Sequence, residues 1–96
     1  MRRIETKTIK ELIREALEEM DLEQKLAERE LVRSWEDLVG KQVARATRSI
    51  YIRDGKLYVA LRSSVIRNEL MYLRNELKEE LNRRAGKELI HEIVLR

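Results

Sequence analysis

The sequence predicts a single α+β domain over residues 1–96, in the order α-α-β-β-α-β, with a small three-stranded mixed sheet. Three observations carry this expectation. Apolar residues recur at helical spacing as far as Gly40. They then alternate on both sides of an Asp54-Gly55 pair. Helical spacing returns after Ser63-Ser64, and a short alternating run closes the chain.

The first helix is expected over about residues 8–20. Ile9, Leu12, Ile13, Ala16, Leu17 and Met20 form an i, i+3, i+4, i+7 stripe. Thr8 precedes it and Glu11 follows three residues later, as in a capping box. Asp21, with Gln24 at the reciprocal position, fits the cap of a second helix. That helix carries Leu22, Leu26, Leu31, Trp35, Leu38 and Val39 and ends at Gly40. Two helices joined so tightly are expected to pack as an antiparallel pair.

The β-hairpin follows from Asp54-Gly55. Both central residues of a type I′ turn need positive φ, which Asp and Gly tolerate. Counting outward pairs Arg53 with Lys56, Ile52 with Leu57, Tyr51 with Tyr58, Ile50 with Val59 and Thr47 with Arg62. Ser63 or Ser64 is positioned to cap a long helix over about residues 64–84. Its stripe is Ile66, Leu70, Leu73, Leu77 and Leu81, flanked by Val65 and Tyr72, and Gly86 fits its C-cap. Residues Leu89 to Leu95 read as a final strand, apolar on both faces and therefore interior or well covered. The β-α-β unit is expected to cross over right-handed, with the long helix on one sheet face.

Composition narrows function by exclusion. The chain is 43% hydrophobic and 41% charged. That is too apolar for a disordered segment and well above the roughly 25% charge of typical soluble domains. The absence of cysteine removes disulfides, thiol nucleophiles and cysteine-bound zinc. With glycine only at positions 40, 55 and 86 there is no glycine-rich phosphate loop. His91 is the one histidine and reads as a surface or half-buried residue rather than a metal ligand. No nucleophile–base pair stands out, so the chain is expected not to be an enzyme and to use no cofactor or small-molecule substrate. No apolar run approaches a membrane span and no signal-like segment follows Met1, so no membrane partner and a cytoplasmic setting are expected. Trp35 reads as core, with a partner anchor as the alternative.

The net charge of +3 is unevenly distributed. Residues 1–44, including Arg2 and Arg3, hold nine Lys/Arg against eleven Asp/Glu, whereas residues 45–96 hold twelve against seven. Between Arg45 and Arg67 there are six bases and a single acid, Asp54. In the expected register one hairpin face carries Ile50, Ile52, Leu57, Val59 and Leu61 and must be covered by helices. The other carries Tyr51 beside Tyr58, with Arg53 and Lys56 at one end and Arg62 at the other. Rings that stack on bases and cations that meet phosphates suit nucleic acid. Arg53 opposite Lys56 is a like-charge pair that a bound phosphate would relieve. The plainer reading is that a tyrosine pair stabilises the hairpin and that surface cations keep the domain soluble and deter edge pairing. Candidate nucleic-acid contacts are Arg45, Arg48, Tyr51, Arg53, Lys56, Tyr58, Arg62 and Arg67.

One further pattern spans most of the chain. It comprises Ser34-Trp35-Glu36-Asp37-Leu38-Val39-Gly40, Val43-Ala44, Ala46-Thr47, Asp54-Gly55-Lys56-Leu57-Tyr58-Val59, Ser63-Ser64 and Glu69-Leu70. It continues through Leu73, Leu77, Asn82, Gly86 and Ile93-Val94-Leu95-Arg96. This ordered set resembles the DciA family, long described as a domain of unknown function, over roughly residues 10–96. The resemblance implies a bacterial protein with a fold similar to K-homology (KH) domains. It also implies DNA binding in replication, with the replicative helicase as partner and a role as its loader or operator.

Two departures qualify the carry-over. KH domains that grip nucleic acid use a GxxG loop between helices, which this chain lacks, so binding would rest on the basic side chains and the sheet face. Longer family members carry a flexible extension that contacts partners, whereas this sequence ends at Arg96. A zinc-ribbon description attached to some relatives does not apply without cysteine. The leading expectation is a DNA-binding domain of DciA type. A protein-interaction adaptor docking through the acidic helical half and a KH-like RNA-binding module are the alternatives.

Overall fold

The computed structural model describes residues 6–96, with side chains from residue 8 onward; Arg2 and Arg3 of the charge balance lie outside the described residues. The elements are α1 (Thr6–Val39), α2 (Lys41–Ala46), β1 (Thr47–Arg53), β2 (Lys56–Leu61), α3 (Ser64–Tyr72), α4 (Arg74–Ala85) and β3 (Glu92–Leu95). This is an α+β fold with one three-stranded mixed sheet. β2 lies in the middle, antiparallel to β1 and parallel to β3.

The expected antiparallel pair of N-terminal helices is replaced by one helix of 34 residues. Thr8 lies inside it and caps nothing. Asp21 is also internal, and its carboxylate pairs forward with Lys25 at 3.0 Å. Gln24 donates weakly to Glu28 at 3.4 Å instead of closing a capping box. The cause is local. No glycine or proline interrupts residues 18–24, and i, i+4 pairs reward an unbroken helix. The stripe also keeps its phase through Met20, Gln24, Ala27, Leu31 and Trp35. The helix ends at Gly40, which has a φ of 89°. The short α2 follows, an element that the periodicity did not reveal.

The hairpin has the expected register from Ile50–Val59 to Arg53–Lys56. Asp54 and Gly55 have φ of 51° and 73°, as a type I′ turn requires. The pairing of Thr47 with Arg62 is corrected. Thr47 pairs with Leu61, because the register shifts between Thr47 and Ser49. This bulge turns Thr47 toward the core, where its hydroxyl accepts from Trp35 Nε1 at 3.2 Å and donates to the Val43 carbonyl at 2.9 Å.

Ser63 is the helix cap, accepting from the Ile66 amide at 3.2 Å. The long helix is divided at Leu73, which has φ −101° and ψ 7°. Its amide bonds to Leu70 O at 3.0 Å and its carbonyl accepts from Leu77 at 2.9 Å. Leu73 leaves the expected stripe and is half exposed, beside exposed Val65 and Tyr72. The elbow lets α3 seat Leu70 over the sheet while α4 runs beside α1, two contacts that one straight rod would not make. Gly86 is the left-handed C-cap, with φ 77° and ψ 6°.

The final strand is shorter than expected and lies at an edge rather than in the interior. Leu89 and Ile90 are buried but not paired in the sheet. Asn82 holds them instead: its Oδ1 accepts from both amides at 3.0 Å and its Nδ2 donates to Ile90 O at 2.8 Å. The core is Leu31, Trp35, Leu57, Val59, Leu70, Leu77, Leu81, Leu89, Ile90 and Ile93. Burying each large apolar side chain contributes roughly 1.5–3 kcal/mol before entropy is counted. The core therefore sits between one sheet face and the helices, and the opposite face is left for solvent.

Candidate nucleic-acid interface

Strand alternation places nine residues on the outer sheet face in three rows. Arg53, Lys56 and Glu92 form the row nearest the turn. Tyr51, Tyr58 and Val94 form the middle row. The third row is Ser49, Ala60 and Arg96. Its last member is set by two backbone bonds, Arg96 N to Val59 O at 3.0 Å and Leu61 N to Arg96 O at 2.7 Å.

The two tyrosine rings are stacked, with centroids 5.0 Å apart and planes inclined by 12°. Tyr51 is 41% exposed and Tyr58 is half-buried. The Arg96 guanidinium lies 5.3 Å from the Tyr58 centroid and 6.0 Å from that of Tyr51. It also donates to Tyr51 Oη at 2.7 Å. Arg96 was absent from the candidate set. The signal for it was its parity with Val94 on a strand running beside Tyr58.

The electrostatics differ from expectation in one respect. The Arg53–Lys56 repulsion is already relieved within the domain, because Glu92 on β3 pairs with Lys56 at 3.6 Å. Both groups remain substantially exposed, so this pair contributes at most about 1 kcal/mol. His91 braces the turn beneath them. Its amide donates to Gly55 O at 2.8 Å, and Nε2 lies 3.2 Å from Asp54 O.

The structure gathers some of the predicted residues and separates others. Tyr51, Arg53, Lys56 and Tyr58 share the outer face. Arg62 leaves β2 at the far end of the sheet, and its Nη1 donates to the Arg45 carbonyl at 3.0 Å, which joins those two positions. Arg48 occupies the bulge and lines a shallow cleft of about 340 Å³ with Arg33, Trp35 and Glu36 of α1. Arg67 is half-buried on α3, in the helical layer on the other side of the sheet. The eight residues therefore form a central group of four with two cations beyond it, and Arg48 and Arg67 stand apart.

Among the described residues there is no group of three His, Cys, Asp or Glu able to hold a metal ion. No helix among them is long and apolar enough to cross a membrane. Trp35 is core, at 2% exposure.

No curated protein and no solved structure matches the chain at significance. A family model does: residues 8–95 match the one described as Dna[CI] antecedent, DciA. The match takes in the stripe of α1, the hairpin, the elbow and β3, and the chain belongs to the DciA family.

Proposed function

We propose that the domain is a non-enzymatic DNA-binding module that acts in replication with the replicative helicase. Its family membership supplies the replication setting and the helicase as partner. The observation that carries DNA binding is the stacked Tyr51–Tyr58 pair on a helix-free sheet face, with Arg53 and Lys56 to one side and Arg96 above it. Exposed ring surface offers a sequence-tolerant platform for unpaired bases, and the cations meet phosphates. Arg45 and Arg62 extend the track beyond the platform; Arg48 and Arg67 would meet only a strand that wraps around the sheet edges.

The elbow between α3 and α4 reads Tyr72-Leu73-Arg74-Asn75 and holds no glycine. The backbone approach of a GxxG loop is therefore not part of this mechanism. Single-stranded DNA is the favoured ligand, since stacking needs unpaired bases.

The test is fluorescence anisotropy with labelled single-stranded DNA, duplex DNA and RNA across a salt series. Binding through several phosphates gives log K falling by about 0.7 per phosphate on single strands and about 0.9 on duplex. Substituting Tyr51 and Tyr58 with Ala is expected to weaken single-strand binding tenfold or more. Unchanged affinity in that variant, with an intact fold, rejects the platform. RNA competing better than DNA favours the KH-like RNA reading instead.

A further inference from the structure

Among the described residues no strand lies beyond β1, so its outer edge is open. β1 is also the longest strand, with seven residues against six in β2 and four in β3. An open edge of that length is a template for pairing. The hairpin fixes which backbone groups it presents. Arg53 and Lys56 close the two-residue turn as a hydrogen-bonded pair, so Tyr51 bonds to Tyr58 in the same way, whereas Ile52 and Ile50 do not bond to β2. Val59, opposite Ile50, obeys the same alternation, because its carbonyl is turned to β3 and accepts from Arg96 N at 3.0 Å. The amides and carbonyls of Ile50 and Ile52 therefore point outward from the sheet.

Two shallow clefts lie end to end along this edge, between β1 and α1. The first, of about 340 Å³, is lined by Arg33 and Glu36 of α1 and by the strand from Thr47 to Ile50. The second, of about 280 Å³, is lined by Lys25, Glu28 and Arg29 and by the strand from Ile50 to Ile52. Val32 and Ile50 belong to both, so the clefts form one groove. Successive strand residues point to opposite faces, and a groove lined by three or four in a row lies at the strand's edge rather than over one face. Val32, Ile50 and Ile52 are half-buried and give it an apolar floor.

We infer that this groove is a second docking site, where an extended acidic segment of a partner protein adds to the sheet beside β1. The backbone supplies the first argument. Donors and acceptors alternate along the edge, which another peptide strand satisfies in full. A phosphodiester only accepts, and it gains nothing from the apolar floor. Charge supplies the second argument. Lys25, Arg29, Arg33, Arg48 and Arg53 border the edge, against Asp21, Glu28 and Glu36. Asp21 is taken up by Lys25 at 3.0 Å, whereas Arg29, Arg33, Arg48 and Arg53 form no ion pair among the described residues. Arginine pairs well with carboxylates, so these four select an acidic strand. A second copy of β1 would bring the same excess of bases and is disfavoured. The site is separate from the tyrosine platform, and it gives Arg48 a partner that the outer face does not.

The probe is a labelled peptide, Glu-Asp-Glu-Val-Glu-Val-Glu-Asp, titrated into the full chain to about 1 mM. Its valines fit the floor while the acids at either end reach the arginines. Saturable binding is expected, with hydrogen exchange slowed at the Ile50 and Ile52 amides, the two that the free edge leaves to solvent. Arg29→Gln/Arg33→Gln should weaken it about tenfold. Both side chains are exposed, so helical content read by circular dichroism should stay the same. A peptide with lysine at every acidic position should not bind. Absence of binding overturns the proposal, and so does binding that leaves exchange at Ile50 and Ile52 unchanged, which is attraction without strand addition. Protection of those two amides in the free chain, together with self-association in sedimentation, gives the edge to a second copy. A single-stranded oligonucleotide that loses as much affinity as the peptide in Arg29→Gln/Arg33→Gln gives the groove to nucleic acid; both results overturn the proposal.

Discussion

The guanidinium of Arg96 lies 5.3 Å above the Tyr58 ring and donates to the neighbouring Tyr51 hydroxyl at 2.7 Å. Residues 38 positions apart meet because β3 runs parallel to β2, with Val94 beside Tyr58, so that Arg96 falls one row further along the same face. The contact orders the aromatic pair and keeps a cation at its rim. It also occupies ring surface that a base would use. An incoming strand has to shift Arg96 from the rings toward a phosphate, exchanging a cation–π contact of about 0.5–1 kcal/mol for an ion pair.

Arg96→Gln is therefore expected to lower the magnitude of the salt slope by about 0.7 on single-stranded DNA, the equivalent of one phosphate. Affinity at low salt should fall by less than in the double Tyr51→Ala/Tyr58→Ala variant. An unchanged slope would show that the Arg96 side chain stays on the rings.

Glu92 gives the opposite prediction. It sits in the row of Arg53 and Lys56 and repels phosphate while holding Lys56. Glu92→Gln is expected to tighten DNA binding severalfold at low salt and to make the slope steeper, because Lys56 is released. Stability should change by no more than about 1 kcal/mol, since the pair is exposed. Weaker binding in this variant would mean that the turn end of the sheet is not in contact with the nucleic acid.

How much of this was legible in the sequence depends on the range of the cause. The Asp54-Gly55 turn, the Ser63 cap and the Gly86 C-cap were readable because each is decided by two to four neighbouring residues. The inward and outward sorting of Ile50, Tyr51, Leu57 and Tyr58 followed from the turn by counting. The single α1 helix was missed because Asp21 and Gln24 have the right identities for a cap, yet nothing beside them turns the chain. The elbow at Leu73 and the bulge at Arg48 have no local signal. They arise from fitting helices to a sheet, and the bulge removed Arg48 from the candidate site. Glu92 and Arg96 share parity with Val94, which the sequence shows, but they entered the face through the register of β3 on β2, which sequence spacing does not set.

Asn82 is the side chain on which the course into β3 depends most. It satisfies two amides and one carbonyl of the buried Leu89-Ile90 segment. Asn82→Ala leaves the Ile90 amide and carbonyl without partners, while the Leu89 amide keeps the Lys87 carbonyl at 3.0 Å. It should destabilise the domain by about 2–6 kcal/mol, at 1–3 kcal/mol for each of the two groups. Asn82→Asp keeps the acceptor, loses the donor to Ile90 O and should cost less. Urea denaturation followed by Trp35 fluorescence measures both, and equal costs would contradict the bonding pattern.

The turn that aligns the site is gripped from below by His91. A Cβ built on Gly55 meets His91 Cδ2 at 2.7 Å, and the φ of 73° is itself unfavourable for an L side chain. Gly55→Ala is thus opposed by two separate effects, a clash and about 1–2 kcal/mol of backbone strain. Adding His91→Ala removes the clash and leaves the strain, so the double variant should recover part of the lost stability. It should also recover DNA affinity in proportion, because the turn holds Arg53 and Lys56 in register opposite each other. If stability returns while affinity does not, the His91 ring touches the nucleic acid as well as the turn, and the binding face extends past β2 onto the loop before β3.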